Sequence, residues 1–481
     1  MTEEQPVVPR SVSRLRAFLE SRQLVDNPVA VISKHLFERG DTYYYPIGGI
    51  KKVLITIDPK VLRHILNDNY ENYHKADIQV RDLGRFLGAN LLTSHGDYWL
   101  RQRRLIQHGF RGDKLASMAA AMCSCLEESL TRFDEDIRRG PVDIRPQMVA
   151  LSLKMVACSL FSARLSDEDV RLISEAISRI LARIFWQIVQ PFLAPWFALS
   201  GKLRRHEVIR SEVDEVLLDH IRRRRTEHDQ TDDLLQILLD ARYGDTGEGM
   251  TDEQILSESK LFMVAGHETT SNALCWTLYL LSRNPDYLRR ARDELKTVVG
   301  DGPFRSSHCA SLPLTRRIIE ESLRLYPPFW VVGRVALKDD RAGDVPIQKG
   351  TTVVAFIYGA HRAPAFWRDP DDFLPERFDD DSKIRFDFHY LPFGGGPRGC
   401  IGSSYAMLQM LMILNVILRR YDFASASDEV IEPRPMIVLR PRNGIIMRFE
   451  RLAADETLGG LRLGVLDDMK NVLAEIEDWA L

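Results

Sequence analysis

A cysteine in a glycine-rich turn carries the clearest chemical signal in the sequence. Cys400 lies in FGGGPRGCIG, residues 393–402, and the stretch 403–420 that follows has a helical pattern. Glycines adopt backbone conformations that a Cβ atom forbids, so this turn can approach a flat ligand closely. A thiolate near a helix N-terminus is favoured by the helix dipole and by free N–H groups, which makes it a competent metal ligand. Arg398, two residues earlier, is placed to meet an anion.

A second chemical segment is AGHETT, residues 265–270, in the middle of a long helical pattern over 252–283. Glycine and β-branched threonine are unfavourable inside a helix, so their presence here needs a reason. We expect Gly266 to open a groove for a small molecule. We also expect Thr269 to bond back to the carbonyl four residues earlier, which bends the helix. Glu268 and Thr269 place an acid beside an alcohol, a pair that can relay protons.

These two segments resemble the cytochrome P450 family. AGHETT matches the family's Ala/Gly-Gly-x-Asp/Glu-Thr-Thr/Ser motif at every position. The resemblance implies that Cys400 is the axial ligand of heme b iron, a thiolate that favours O–O cleavage, and that Thr269 and Glu268 deliver protons to reduced dioxygen. The heme-binding signature Phe-x-x-Gly-x-Arg-x-Cys-x-Gly is matched at all five specified positions, Phe393, Gly396, Arg398, Cys400 and Gly402.

A possible ion pair precedes the cysteine turn. Glu321 and Arg324 in EESLRLYPP are three residues apart, so on a helix both side chains emerge on one face. Alone, such a pair is usually a solvated contact of little energetic value. The family resemblance, extended by PERF at 375–378, implies instead a buried structural triad of Glu321, Arg324 and Arg377 behind the heme.

Donors for two heme propionates are also present. Trp99 and Arg103 in GDYWLRQRRLIQHGF are spaced i,i+4, so an indole N–H and a cation project together. This spacing matches the family's Trp-x-x-x-Arg pattern. The resemblance implies that Arg398 and Arg334 complete the propionate-binding set.

The substrate pocket is placed by resemblance alone, and the implied lining is aromatic and aliphatic without a fixed charge. Such a lining favours a lipophilic substrate such as a fatty acid, a terpenoid or a carotenoid-like hydrocarbon. The implied residues are Phe185, Trp186, Phe192, Leu261, Phe262, Ala265, Phe329, Trp330, Val331 and Met436.

The elements that must position these residues are mostly helical. A strand hairpin is predicted at 42–56, and strands return at 351–357 and 436–448. We therefore expect a mainly α fold with small β-sheets, an α+β arrangement, and by resemblance the cytochrome P450 fold with its long central helix over the heme. Helical patterns occupy 98–108, 114–139, 142–163, 167–189, 202–228, 231–243, 252–283, 285–299, 313–325 and 403–420.

Composition excludes several other classes of protein. The chain has 481 residues, 45% hydrophobic and 28% charged, which is typical of a globular protein, and its net charge of −3 argues against a nucleic-acid binder. Six cysteines are too few for a disulfide scaffold and favour a reduced, intracellular compartment. No stretch approaches the roughly 18 apolar residues of a membrane span, so we expect no membrane anchor.

Length alone suggests roughly two to four domains, but no linker divides the chain. The resemblance implies a single heme domain over 1–451, followed by an acidic tail at 452–481. That tail has two basic and seven acidic residues and an amphipathic helical stripe. We expect it to fold onto its own domain or fray, with partner docking as the other reading.

Together these features predict a soluble, bacterial-type cytochrome P450 monooxygenase that is cytoplasmic and monomeric. It would hydroxylate or epoxidise its substrate with O₂. No flavin domain fits in the remaining length, so electrons would come from a ferredoxin or flavodoxin with its reductase, and NAD(P)H would contribute only through them. Two alternatives stay open: a heme-thiolate isomerase or peroxygenase that needs no electron donor, and a non-catalytic heme-binding protein.

Overall fold

Helices form most of the chain, as the periodic patterns predict. The computed structural model describes residues 9–47, 49, 51–110, 112–189, 202–227, 231–300, 302, 304–379 and 388–452. The α-helices are α1 Arg14–Leu19, α2 Ser21–Asp26, α3 Pro28–Arg39, α4 Pro59–Arg63, α5 Gly84–Leu87, α6 Gly96–Ile106, α7 Gly112–Ile137, α8 Ile144–Phe161, α9 Asp167–Val189, α10 Lys202–Glu227, α11 Leu234–Asp240, α12 Asp252–Arg283, α13 Pro285–Val299, α14 Pro313–Leu325, α15 Ile357–Ala360 and α16 Ser403–Arg420.

The strands are short and form four small sheets. The strands are β1 Arg10–Ser11, β2 Thr42–Ile47, β3 Lys51–Thr56, β4 Tyr73–Lys75, β5 Val142–Asp143, β6 Val332–Ala336, β7 Asp340–Ala342, β8 Val345–Ile347, β9 Thr352–Ala355, β10 Tyr421–Ser425, β11 Pro433–Pro435, β12 Leu439–Pro441 and β13 Ile446–Arg451. The largest sheet has six strands in the order β1-β2-β3-β9-β6-β4, and a three-stranded sheet has the order β10-β13-β5. Two hairpins, β7-β8 and β11-β12, complete the set among the described residues.

The predicted mainly α fold with small sheets is confirmed, and five helical patterns have the observed bounds: 167–189, 252–283, 285–299, 313–325 and 403–420. The predicted hairpin at 42–56 is β2 paired antiparallel with β3. The expected strand at 351–357 ends early because α15 begins inside it, and the segment 436–448 is divided between β12 and the start of β13. Helices α1 to α5 and α15 were not predicted.

The central helix α12 owes its bounds to its end residues. Thr251 accepts a hydrogen bond from the Gln254 N–H, and the Gln254 side chain accepts one from the Thr251 N–H, which forms a capping box. Asn284 and Pro285 end the helix, because proline disfavours a helical residue before it. Its 32 residues extend about 48 Å. The helix packs against α8, α10, α14 and α16, so it crosses the middle of the molecule.

Two apolar cores support the site. The larger lies among α7, α8, α12, α14 and α16, and the second lies beneath the six-stranded sheet. Within the described part of the chain, Ile144–Phe161 is long and apolar enough to span a membrane by length and composition, and 67% of it is buried in the protein. The predicted acidic tail at 452–481 lies, apart from Leu452, outside the described residues.

Candidate active site

The cysteine turn is held by its own backbone and by a close approach to a distant turn. The Cys400 N–H donates to the Phe393 carbonyl at 2.8 Å, and the Gly399 N–H donates to Gly396 at 2.9 Å. Gly396 has φ of +67°, and a Cβ there would overlap the Leu66 carbonyl. Glycine is therefore required at 396 for both its conformation and its contact. The turn ends where α16 begins, three residues after the cysteine.

Cys400 lines a large cavity opposite α12. The cavity encloses about 1660 Å³ of empty space, counting its open mouth, and Phe393, Arg398 and Gly402 line it as well. The cysteine is exposed on the cavity side. Burial by the surrounding protein raises the pKa of its thiol, which the Gly402 N–H and the Arg103 charge partly offset. A coordinated metal deprotonates such a thiol outright.

Four cations face one rim of this cavity: Lys75, Arg103, Arg334 and Arg398. Arg103 donates to the Gly399 carbonyl at 2.8 Å, and Arg334 donates to Gly333 at 3.0 Å. Burial, with the charge of Arg398, lowers the pKa of Arg334 to about 10. Burial also lowers the pKa of Lys75, and the positive charges of Arg398 and Arg334 lower it further. Mutual repulsion of this kind indicates a site built for an anion.

Trp99 is the platform on which two of the cations lie. Its ring is 4.5 Å from the Arg398 guanidinium carbon and 6.0 Å from that of Arg103. Arg398 is the group in need of a ligand, because its Nε and Nη1 atoms are buried without a hydrogen-bond partner in the protein. Such orphaned donors are costly, and a bound carboxylate would satisfy them.

The residues present fit a heme. The rim cations, Arg398 above all, would hold its propionates, and Cys400 would supply the thiolate that binds its iron. Among the described residues no group of three or more His, Cys, Asp or Glu side chains could hold a metal. One thiolate suffices when the macrocycle brings its own nitrogen ligands.

Helix α12 forms the wall of the cavity opposite Cys400. Thr269 lines the cavity and donates its hydroxyl proton to the Ala265 carbonyl at 2.7 Å, as the sequence predicts. Gly266 also lines the cavity, but the place of its missing Cβ faces α8, 2.9 Å from Val156 Cγ2. Gly266 therefore does not open the expected groove on the cavity side of the helix. It lets α8 and α12 pack closely.

Glu268 is buried and points away from the cavity wall toward two partly buried arginines. Its Oε1 lies 2.6 Å from Arg440 Nη2 and 3.5 Å from Arg145 Nη2, and Asn272 donates to it at 3.1 Å. Burial raises the pKa of Glu268, but Arg440 and the other cations outweigh burial and hold it below its ordinary value. The sequence analysis did not anticipate either arginine, and the role of Glu268 in catalysis stays a prediction.

The predicted triad is brought together behind the cysteine turn. Arg324 donates to Glu321 through Nε at 2.7 Å and Nη2 at 2.8 Å, and both side chains are fully buried. Arg377 donates to the same carboxylate at 3.2 Å, and the Leu374 N–H does so at 2.9 Å. Remaining Arg324 donors reach the carbonyls of residues 361, 370 and 372. This cluster joins α14 to the segment that leads to the cysteine turn.

Five of the implied pocket residues line the cavity, namely Leu261, Phe262, Ala265, Phe329 and Val331. Phe192 lies outside the described residues.

Four other implied residues do not line the cavity, and packing explains why. Alternate residues of an extended segment face opposite sides, so Trp330 turns into the sheet core, where its Nε1 donates to the Met436 carbonyl at 2.7 Å. Met436 packs against Phe185 in a separate small cluster. Trp186 is 37% exposed. A role for these four residues in substrate binding stays a prediction.

A cysteine ligand facing a large cavity with an arginine-rich rim defines a heme-thiolate site, on a mainly α fold. A family model described as Cytochrome P450 matches residues 8–448. Similar proteins include Cytochrome P450 72A13 of Arabidopsis thaliana, 29% identical over 89% of this chain and 85% of its own length. The chain belongs to the cytochrome P450 family.

Two further relatives are hydroxylases by name. Cytokinin hydroxylase of Arabidopsis thaliana is 29% identical over 83% of this chain and 78% of its own length. Taurochenodeoxycholic 6 alpha-hydroxylase of Sus scrofa is 28% identical over 84% of this chain and 83% of its own length. Family and relatives identify the chain as a monooxygenase. These two hydroxylases come from a plant and an animal, so they do not support the expectation of a bacterial-type cytochrome P450.

Proposed function

We propose that this monooxygenase hydroxylates or epoxidises a lipophilic small molecule such as a fatty acid, a terpenoid or a carotenoid-like hydrocarbon. The observation that carries the proposal is the uncharged cavity wall around Thr269. Leu261, Phe262 and Ala265 of α12 and the turn residues Phe329 and Val331 present only apolar surface there. A ligand that buries hydrocarbon against this surface gains about 25 cal/mol for each Å² removed from water.

The residues of the chain hold the reactants and the protons. When bound, heme supplies activation of O₂ and transfer of one oxygen atom. Cys400 offers the thiolate ligand, and Arg398 and Arg103 orient the cofactor by its carboxylates. The Thr269 hydroxyl donates its hydrogen bond to the Ala265 carbonyl, so on the cavity side it can only accept a hydrogen bond. It becomes a donor when that bond breaks.

Glu268 is proposed as the proton source behind Thr269. It is ionised at neutral pH because Arg440 and Arg145 surround it. To pass a proton it must leave these arginines or work through a water chain between them and the cavity.

Electrons are proposed to come from separate proteins. A ferredoxin or flavodoxin with its reductase is one candidate, and the plant and animal relatives favour a second, a single reductase. We also propose that the protein is a cytoplasmic monomer. Reconstitution of the purified holoprotein with each donor system in turn distinguishes the two sources. Product formation in the absence of both donor systems would contradict the proposal of a protein electron donor.

Substrate binding is testable with a matched pair of variants. Lipophilic compounds are screened for the spectral shift that accompanies displacement of iron-bound water. Phe329→Ala should then weaken a ligand found in this way, because Phe329 lines the cavity and is 38% exposed. Phe366→Ala is the control, since Phe366 is 46% exposed on another surface. Equal affinities for the two variants would remove the support for this pocket.

The two alternatives are separated by turnover. A monooxygenase forms product only with O₂ and an electron donor. An isomerase forms product without electrons, a peroxygenase forms it with hydrogen peroxide alone, and a non-catalytic heme protein forms none.

A further inference from the structure

The imidazole of His267, next to Glu268 on α12, has one ring nitrogen that the fold leaves without a partner. His267 is fully buried, and its Nδ1 is hydrogen-bonded to the Met263 carbonyl one helical turn earlier. Because a carbonyl only accepts hydrogen bonds, Nδ1 must carry the ring hydrogen. In the neutral ring Nε2 is then an acceptor, and it has no hydrogen-bond partner among the described residues. An unpaired buried acceptor is costly and requires an explanation.

The unpaired nitrogen faces the acid of the proposed proton relay. Nε2 of His267 lies 3.9 Å from Oε2 of Glu268. Arg440, Arg145 and Asn272 all contact the other carboxylate oxygen, Oε1. While the imidazole is neutral and the carboxylate is ionised, the two facing atoms both carry lone pairs and neither carries a hydrogen. One proton between them would satisfy both atoms.

The charges around this pair keep the imidazole neutral at rest. Burial lowers the pKa of His267, and the negative charge of Glu268 opposes that effect. Arg440 from β12 and Arg145 from α8 lower the same pKa further. Both arginines are partly exposed, so the pair approaches solvent on their side.

We propose that His267 is a positioning residue of the proton relay, which takes up a proton from solvent on Nε2 and passes it to Oε2 of Glu268. This inference rests on the proposed role of Glu268 as the proton source behind Thr269. In the first step a hydronium ion of the solvent gives its proton to Nε2 and leaves as water. In the second step the N–H bond breaks, an O–H bond forms at Oε2, and the ring returns to its neutral form. No electrons are transferred, and Nδ1 keeps its hydrogen throughout.

The two carboxylate oxygens have separate tasks in this arrangement. Because the arginines contact Oε1, a proton can be placed on Oε2 while those contacts persist. The 3.9 Å between Nε2 and Oε2 exceeds a hydrogen bond. The two groups must therefore approach by about 1 Å for the transfer, and attraction between imidazolium and carboxylate favours that movement.

The first experiment observes the ring directly by nitrogen-15 NMR of the full-length holoprotein with labelled histidine and reduced, CO-bound heme. His267→Asn assigns the resonances, because asparagine keeps an N–H for the Met263 carbonyl but lacks the second ring nitrogen. Nδ1 should stay protonated at every pH, and Nε2 should gain a proton as the pH falls. In Glu268→Gln this gain should move to lower pH, because the negative charge is gone. A hydrogen on Nε2 in place of Nδ1, a ring that never titrates in the folded protein, or a titration unchanged in Glu268→Gln overturns the proposal.

The second experiment measures the share of electrons lost as hydrogen peroxide, which rises when protons fail to arrive. His267→Asn should raise this share at least about twofold and flatten its dependence on pH. His267→Gln, which fills more of the ring's volume, should do the same. His220→Gln is the matched control, since His220 of α10 is also hydrogen-bonded to a carbonyl, that of Phe161, and does not line the cavity. Each variant is first shown to keep its heme spectrum.

Combination with Glu268→Gln separates a role in the relay from a role in packing. Addition of His267→Asn to Glu268→Gln should change nothing further, because the histidine acts through the carboxylate. An effect of His267→Asn that persists in full in that background overturns the inference. If Glu268→Gln loses no more peroxide than wild type, the proposed role of Glu268 fails and the inference falls with it. If Glu268→Gln raises peroxide and neither His267 variant does, the role of Glu268 stands and only the inference about His267 is overturned.

Discussion

Replacement of Glu321 by glutamine tests whether the buried cluster holds the cysteine turn. The carboxylate accepts four hydrogen bonds, two from Arg324, one from Arg377 and one from the Leu374 N–H. Glutamine keeps the shape of the side chain but removes the charge, and it turns an NH₂ group toward a guanidinium. Arg324 is fully buried, so its positive charge would be left with carbonyl dipoles alone.

The expected loss is large because both partners are shielded from water. Removal of one member of a buried ion pair costs about 3–5 kcal/mol, roughly a hundred- to several-thousand-fold in the folding equilibrium. The matched control is Glu175→Gln. Glu175 pairs with Arg179 at 3.0 Å one helical turn away, but the two side chains are 55% and 63% exposed. An exposed i,i+4 pair contributes about 0.3–0.5 kcal/mol.

The assay is urea unfolding of the holoprotein, followed by circular dichroism and by heme absorbance. Glu321→Gln should lower the unfolding midpoint and release heme with the loss of helix, whereas Glu175→Gln should match wild type. Similar small losses in the two variants would refute the assignment of Glu321 as the organising charge of this cluster.

Three further outcomes follow from the site. Thr269→Ala should retain heme but lower product formation at least about tenfold and divert electrons to hydrogen peroxide; peroxide and product assays check this, and tight coupling would contradict the relay. Arg398→Gln should speed heme dissociation about 10- to 100-fold, because it removes a charge-assisted bond to a propionate; Arg101→Gln, at an exposed site, should not, as transfer of heme to a scavenger protein would show. Arg440→Met should destabilise the protein at neutral pH. Because the pKa of Glu268 is lower in the folded protein than in the unfolded chain, its ionised form stabilises the fold at a pH above the unfolded-state pKa, and this contribution is lost as the pH falls through the folded-state pKa. Urea unfolding at a series of pH values should show the stabilities of wild type and variant converging in acid, and a constant difference would argue against this ion pair.

Local chemistry explains which elements could be predicted. The bounds of α12 follow from Thr251 at one end and Asn284 with Pro285 at the other. Helices α1 to α3 are short and begin among prolines and charges, so their period is weak, although Asn27 before Pro28 marks one start. Parallel pairing of β3 with β9 joins residues 51–56 to 352–355, and no local pattern specifies such a distant partner.

The site divides in the same way. Cys400 and Thr269 could be found because the family motif is contiguous around each. Arg440 and Arg145, which set the charge state of Glu268, come from β12 and α8 and carry no motif. Lys75 was likewise missed, since a lysine in a three-residue strand gives no sign that it faces a cavity until the strand is placed in its sheet.

The contact between Gly396 and Leu66 has a consequence for biosynthesis. The rim residues Lys75, Trp99 and Arg103 leave the ribosome early, whereas the cysteine turn emerges when most of the chain already exists. Its close approach to the His64–Asp68 turn must then be made between the two ends of the sequence, and contacts of such wide separation form slowly. The nascent chain therefore contains Lys75, Trp99 and Arg103 long before Arg398 and Cys400, and the cofactor site can be completed only after the cysteine turn has been synthesised.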